Sequence, residues 1–420
     1  MNTWFDTARL GMFISWGPSS QKGWEQSWPL VDGRISLYLP YCQDLTVEEY
    51  YSTTPTFDPA EYDPKELART AKRAGMTYAV LTTKHHDGYA MFHTKYSDFS
   101  IQYSPYRADI VREYVDAFRS GGLKIGLYFS LIDWHHPDNP AFEDADRQRY
   151  ATLSIRQPAK EQWDRYLEFM FGQIQELLTN YGTIDVLWFD GQWERSPEQL
   201  KAKELRDMIK SLQPDILIND RLPNQGDFDT SEQFVPAEPQ RRMWETCLTM
   251  NTSWGYNSAD AEYKTARELI HTLCEVAAKG GNLLLNVSPM GNGKLPDEQI
   301  ERLEAMGAWM RKNGESIVGT VPGLEPWQFY GPSTRKGNTV YLHLLMKPYE
   351  TVAVRGIPVN TIKSVRELST GEELPFKKRV SVVDLLTENH AAKGELMITV
   401  PDHVVDQYAT VVAIDFAGTP

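Results

Sequence analysis

The run RADIVREYVDAFRSGGLKIGLYFS, at 107–130, decides how this chain folds. An amphipathic helical pattern (107–122) ends in glycine, and a nearly continuous apolar stretch (124–130) follows at once. A glycine there supplies the left-handed residue that often closes a helix. An apolar run without polar alternation is what a parallel strand buried on both faces needs. The unit recurs on either side. Strands are predicted at GMFIS (11–15), YAVLTT (78–83), IDVLWF (184–189), DILIND (215–220) and NLLLNV (282–287). Helices are predicted at 161–182 and 196–212, and another after Asp63, with Pro64 at its first position and Glu66 reaching back to the cap. No strand is followed by a Gly-rich phosphate fingerprint. The alternation therefore favours a (β/α)8 barrel over an open doubly wound sheet.

The helical pattern PDEQIERLEAMGAWMRKNG (296–314) closes this barrel, placed at 1–317. From 318 the texture changes to short β-rich runs separated by Gly, Pro and Asn: NTVYLHLLM, ETVAVRGI, SVRELSTGEELPF, GELMITVP and ATVVAIDF. They predict a C-terminal antiparallel β-sandwich domain over 318–420.

Bulk properties narrow the function. A net charge of −14, without a Lys/Arg cluster, argues against a nucleic-acid partner and against an anionic membrane surface. The three cysteines, Cys42, Cys247 and Cys274, are far apart and form neither a zinc pattern nor a disulfide framework. The N-terminus shows no basic region followed by an apolar core, so a cytoplasmic protein is expected, or a secreted or periplasmic one whose leader has been removed. Twelve Trp and 21 Tyr suit both cores and sugar-ring platforms.

Polar residues gather where the apolar runs stop. Thr83 to Gly88 follow the second strand, and Tyr128, Ser130 and Asp133 to His136 belong to the third. Asp190-Gly191 follows the fourth, Asn219-Asp220-Arg221 the fifth, and Trp244-Glu245 a further extended stretch. In a barrel these C-terminal strand ends build the active site. Asp190 could simply cap the next helix. Yet Trp188, two residues earlier, shares its strand face, so a flat apolar ring and a carboxylate stand together, which suits attack on a sugar carbon. Retaining glycosidic cleavage needs a second carboxyl about 5–5.5 Å away. Asp227, Asp229, Glu232, Glu238 and Glu245 are all candidates, and spacing does not choose among them. His85 and His86 are adjacent, so on a continuing strand they point to opposite faces; one hydrogen-bonding histidine and one buried histidine are expected rather than a metal site. Neither a metal nor any other cofactor is called for.

The motifs RLGMFISWGPSS, YAVLTTKHHDGYAMFHTKYSDF, GLKIGLYFSLIDWHHP, YGTIDVLWFDG, WETCLTMNTSWGYN and GGNLLLNVSPMGNGKLPDEQ, in that order, resemble glycoside hydrolase family 29, the α-L-fucosidases. The resemblance implies a barrel followed by a β-sandwich and a retaining exo-α-L-fucosidase acting on fucosylated oligosaccharides or glycoconjugates. It places the nucleophile at Asp190, in the W-x-D-G element. It places the acid/base first at Glu232, in a D-[FY]-x-T-x-E-like stretch, with Glu238 and Glu245 as alternatives, the W-E motif of Glu245 reading as structural or as a support behind the site. Arg221 would steady the acid/base side, while Trp28, His85, His86, Tyr128 and Trp188 would contact the sugar. Ser15 stands where the family usually has histidine, in Ser15-Trp16-Gly17. That departure raises a related α-L-glycosidase acting on an L-galactose-type sugar as an alternative. A non-catalytic carbohydrate-binding protein and a homo-oligomeric assembly are further readings left open.

Overall fold

The structure is a computed structural model describing residues 4–31, 39–152, 154–389 and 391–418. Eight strands form the N-terminal sheet: β1 (Leu10–Ile14), β2 (Tyr78–Lys84), β3 (Lys124–Ser130), β4 (Val186–Asp190), β5 (Leu217–Ile218), β6 (Asp229–Glu232), β7 (Trp244–Thr249) and β8 (Asn282–Val287). All neighbours pair in parallel, in the order β5-β4-β3-β2-β1-β8-β7-β6, and a parallel bridge between Asn219 and Phe228 joins the two ends. The sheet therefore curls into a (β/α)8-type barrel.

Strand alternation sorts the apolar residues into two layers. Phe13, Val80, Tyr128, Val186, Trp188 and Leu284 fill the barrel interior. Met12, Ile14, Leu187, Phe189, Leu283 and Leu285 face the surrounding helices. Both sets are buried, which is why the strands read as unbroken apolar runs.

The helices follow from local chemistry. Helix α1 (Val47–Tyr51) begins with a capping box between Thr46 and Glu49. Asp63 caps α2 (Pro64–Arg73) by accepting from the backbone N–H groups of Lys65 and Glu66. Glu66 does not reach back as expected, because its carboxylate is held by Arg69 and Arg73 one and two turns on. Asp109 caps α3 (Ile110–Ser120), and Gly122 (φ +74°) turns the chain into β3. A short α4 (Arg149–Thr152) precedes the long α5 (Lys160–Asn180). Helix α6 (Ala202–Leu212) starts later than its pattern, since Ser196 and Gln199 close a separate turn and Lys201 is left-handed (φ +47°). Helices α7 (Ala266–Ala278) and α8 (Asp297–Asn313) follow β7 and β8.

Two expectations for the strands need correction. DILIND supplies only the two residues of β5. Beyond them, the Asn219 side chain replaces the ladder, accepting from Phe189 N–H (2.7 Å) and donating to Phe189 O (2.9 Å). Trp244-Glu245 opens β7 rather than ending a strand, because the preceding extended strand is the polar β6, DTSE. No helix separates β5 from β6, or β6 from β7, among the described residues. Loops alone make those crossovers.

After α8, the antiparallel strands β9 (Val321–Pro322), β10 (Ser333–Lys336), β11 (Thr339–Leu344), β13 (Ile362–Glu367) and β16 (Thr410–Phe416) form one sheet. Strands β12 (Thr351–Pro358), β14 (Phe376–Arg379) and β15 (Lys393–Thr399) form the other. Val340, Leu342, Val412 and Ile414 pack toward Val352, Val354, Leu396 and Ile398 to make the sandwich core. The opposite face of the larger sheet offers Tyr341, Val411 and Ala413 to the barrel's outer layer, and Trp309 of α8 donates to Ala409 O at 2.8 Å. One sheet thus seals both its own sandwich and a flank of the barrel.

Candidate active site

The C-terminal ends of the barrel strands bring Asp190, Arg221 and Glu232 together. Asp190 is the last residue of β4 and continues the inward face of Val186 and Trp188. Gly191 turns the chain at φ +80°, and a Cβ there would lie 2.7 Å from Ile132 Cγ1, so only glycine fits after this aspartate. Glu232 ends β6, two strands round the ring. Arg221, set on the turn that Asn219 shapes, spans both carboxylates: Nη1 lies 3.3 Å from Asp190 Oδ1 and Nη2 2.8 Å from Glu232 Oε2.

The second oxygen of Asp190 accepts from the Tyr128 hydroxyl at 3.1 Å and lies 3.7 Å from His86 Nε2. Burial raises the Asp190 carboxyl above its ordinary range, opposed by Arg221, the Gly191 backbone and Tyr128. Burial also raises Glu232, and there the neighbouring charge of Asp190 adds to the rise while Arg221 opposes it. Of the two, Asp190 has more partners that favour its charged form. The last proton shared by the pair therefore belongs on Glu232. Burial opposes the charge of Arg221, but Asp190 and Glu232 together outweigh it and raise its pKa.

The two histidine rings lie together beside this site, which the strand-face argument did not anticipate. Strand β2 stops at Lys84, and the turn that follows leaves the two rings 4.1 Å apart. His85 Nδ1 meets Ser27 Oγ at 2.6 Å, and the ring stacks on Tyr128 at 15°. His86 Nδ1 meets Ser130 Oγ at 2.7 Å, leaving Nε2 without a hydrogen-bond partner among the described residues. Burial lowers both, His86 to about 3, so both rings are neutral near pH 7.

Tyr128, Trp188 and Trp28 wall the pocket, with Tyr128 and Trp188 stacked at 5.5 Å and 21°. Ser15 also faces it, its hydroxyl donating to Asn286 Oδ1 at 2.6 Å. Phe13, Thr82, Cys247 and Trp254 line the same pocket and escaped the sequence reading. Phe13 could have been found, since it lies two residues before Ser15 on one strand face. Cys247 could not, because its place opposite Glu232 depends on the register of β6 against β7.

The two alternative carboxyls are placed elsewhere. Glu238 is exposed in the loop after β6. Glu245 lies wholly buried near the start of β7, where its oxygens accept from the Trp188 indole (2.9 Å) and from the Tyr78 hydroxyl. Burial pushes it up to about 7. A second buried carboxyl, Glu25, joins two loops of the pocket wall by accepting backbone N–H groups of Gln26, Trp254 and Gly255.

Comparison with known proteins agrees with this architecture. The sequence profile of the family described as Alpha-L-fucosidase matches residues 1–315. Alpha-L-fucosidase isoenzyme 1 from Paenibacillus thiaminolyticus superposes with a TM-score of 0.84 at 37% identity, over 99% of this chain and 98% of that one. A Bacteroides thetaiotaomicron GH29 alpha-L-fucosidase, described as a trapped covalent intermediate in complex with 2-fluoro-fucosyl fluoride, superposes at 0.79 with 26% identity, over 98% and 94%. The plasma alpha-L-fucosidase of Homo sapiens is 31% identical over 76% of this chain and 69% of its own length.

Proposed function

This chain belongs to the alpha-L-fucosidase family, and on that premise we propose that it is a retaining exo-α-L-fucosidase cleaving terminal α-L-fucosyl linkages of fucosylated oligosaccharides or glycoconjugates. The observation that carries the reading is the single Arg221 guanidinium clasping Asp190 and Glu232 at the mouth of an aromatic-walled pocket. Two buried carboxyls that share a cation, with the charge of Asp190 raising Glu232, divide into one ionised and one protonated partner.

In the first step an Asp190 oxygen attacks the anomeric carbon. The bond to the leaving oxygen breaks as the Glu232 proton passes to it, giving a glycosyl-Asp190 ester and a Glu232 carboxylate. In the second step Glu232 takes a proton from water, whose oxygen displaces Asp190 and restores both groups. Tyr128 and Arg221 hold the Asp190 oxygens in place, and neutral His85 and His86 offer ring nitrogens to sugar hydroxyls. Trapping with a 2-deoxy-2-fluoro fucosyl donor, followed by peptide mass spectrometry, should place the label on Asp190. A label on another residue, or product of inverted configuration by NMR, rules the assignment out.

A second reading has one observation behind it. Ser15 is short and its hydroxyl is turned to Asn286, so this wall is free of the bulk an imidazole would bring. A sugar carrying a C6 hydroxyl, an α-L-galactoside, would then compete with fucose. Rates on the aryl α-L-fucoside and the aryl α-L-galactoside decide between them.

A further inference from the structure

Trp193, three residues after Asp190, stands apart from the pocket's other aromatic rings. It is 39% exposed, whereas Tyr128 and Trp188 are buried. A lone exposed aromatic is ordinary on a protein surface. Trp193 differs in how it is held. Its indole N–H donates to the Tyr150 hydroxyl at 3.1 Å, and that hydroxyl donates to the Glu194 carboxylate. Arg149 and the Trp134 indole fix the same carboxylate, at 3.0 and 3.2 Å. The Trp193 ring lies 19° from parallel to Trp28 and stands edge-on to His86, 5.3 Å away. His86 Nε2 in turn is 3.7 Å from Asp190 Oδ2. An indole open to solvent is thus locked one imidazole away from the reacting carboxylate. On the same turn, Gln192 Oε1 is shielded from water and has no hydrogen-bond partner among the described residues.

We propose that Trp193 is the platform of a second sugar subsite, which receives the saccharide that leaves. The inference rests on the exo-fucosidase reading: such a site buries one terminal residue, so the rest of the glycan must lie against the pocket rim. A flat apolar ring with a polar edge suits the C–H face of a pyranose. Holding that ring beforehand lowers the entropy lost when the saccharide docks.

The test compares kcat/KM for two donors, a fucosylated oligosaccharide and α-L-fucosyl fluoride, whose leaving group has no ring. In Trp193→Ala the ratio of oligosaccharide to fluoride should fall roughly 10-fold. Trp193→Phe keeps an aromatic face and should restore most of that ratio. A ratio unchanged in both variants, whatever their absolute rates, overturns the subsite. Failure of the native enzyme to cleave either donor overturns the exo-fucosidase reading, and the subsite with it.

Discussion

Two carboxylate sites in one barrel differ in depth and in company. Asp190 and Glu232, at the C-terminal strand ends, retain 15% and 31% side-chain exposure and share the cation of Arg221. Glu245, inside the barrel, is fully buried and meets only neutral donors, Tyr78 and Trp188. All three are raised by burial, and the charge of Asp220 adds to the rise of Glu245, whereas the upper pair shares the cation of Arg221, which opposes the rise of both. On the proposed mechanism, a raised carboxyl is put to use where a shared cation and an opening to solvent accompany the burial. Glu245 instead holds the Trp188 ring that helps wall the pocket.

The largest effect that could break this contrast is at Asp190. Asp190→Asn should lower kcat/KM on aryl α-L-fucoside by about 10,000-fold or more. Residual activity close to native would remove the nucleophile from the upper site. Glu232→Ala should cost about 100- to 10,000-fold with poor leaving groups, less with activated ones, and azide should recover part of the rate. Equal losses for both leaving groups would move the acid/base elsewhere.

Arg221 tests the shared cation. It opposes the burial-driven rise of both carboxyls. In the native enzyme, activity should rise with pH as Asp190 loses its proton and fall as Glu232 loses its own. Arg221→Met should move both limbs to higher pH and reduce kcat by roughly 100-fold. A profile that stays in place would show that the guanidinium acts only as a spacer.

The smallest catalytic effect is expected at Glu245. Its folded pKa of about 7 lies above the ordinary value of 4.5, so the folded state holds more protons between the two. The sign of the linkage follows: this contribution is fully present below about pH 4.5 and fades as pH rises through about 7, a span worth about 3 kcal/mol. Glu25, also raised to about 7, adds in the same direction. Glu245→Gln can still accept from Trp188 and donate to Tyr78. Denaturant melts at several pH values should show a shallower loss of stability in this window, with kcat/KM within about 10-fold of native. A catalytic collapse like that of Glu232→Ala would erase the distinction between the two sites.

The strands that were legible share one property. β1, β2, β3, β4 and β8 are buried on both faces, so each is written as an apolar run whatever its neighbours do. β5 and β6 are different. The two-residue β5 gives way to Asn219, whose side-chain amide imitates backbone pairing, and β6 is the polar tetrad DTSE, which carries no hydrophobic period. Glu232 could be nominated from its motif, but its rivals could not be set aside by spacing. The same lack of a period in β6 leaves the strand position of Trp244-Glu245 illegible, because nothing in the sequence distinguishes the start of β7 from the end of a preceding strand.

By itself the sequence determined the alternation of helix and strand, the change of texture near 318, and a carboxylate on the inward face of β4. Those are local properties, set by period and composition within a few residues of one another. Only the tertiary structure decided which glutamate shares a cation with Asp190, that the turn after β2 brings the two histidine rings together beside the pocket, and that Glu245 meets Tyr78 and Trp188 inside the barrel. Each of these depends on where a strand starts or stops, and on which loop crosses the barrel mouth. Such contacts join residues tens to hundreds of positions apart, and no local period records them.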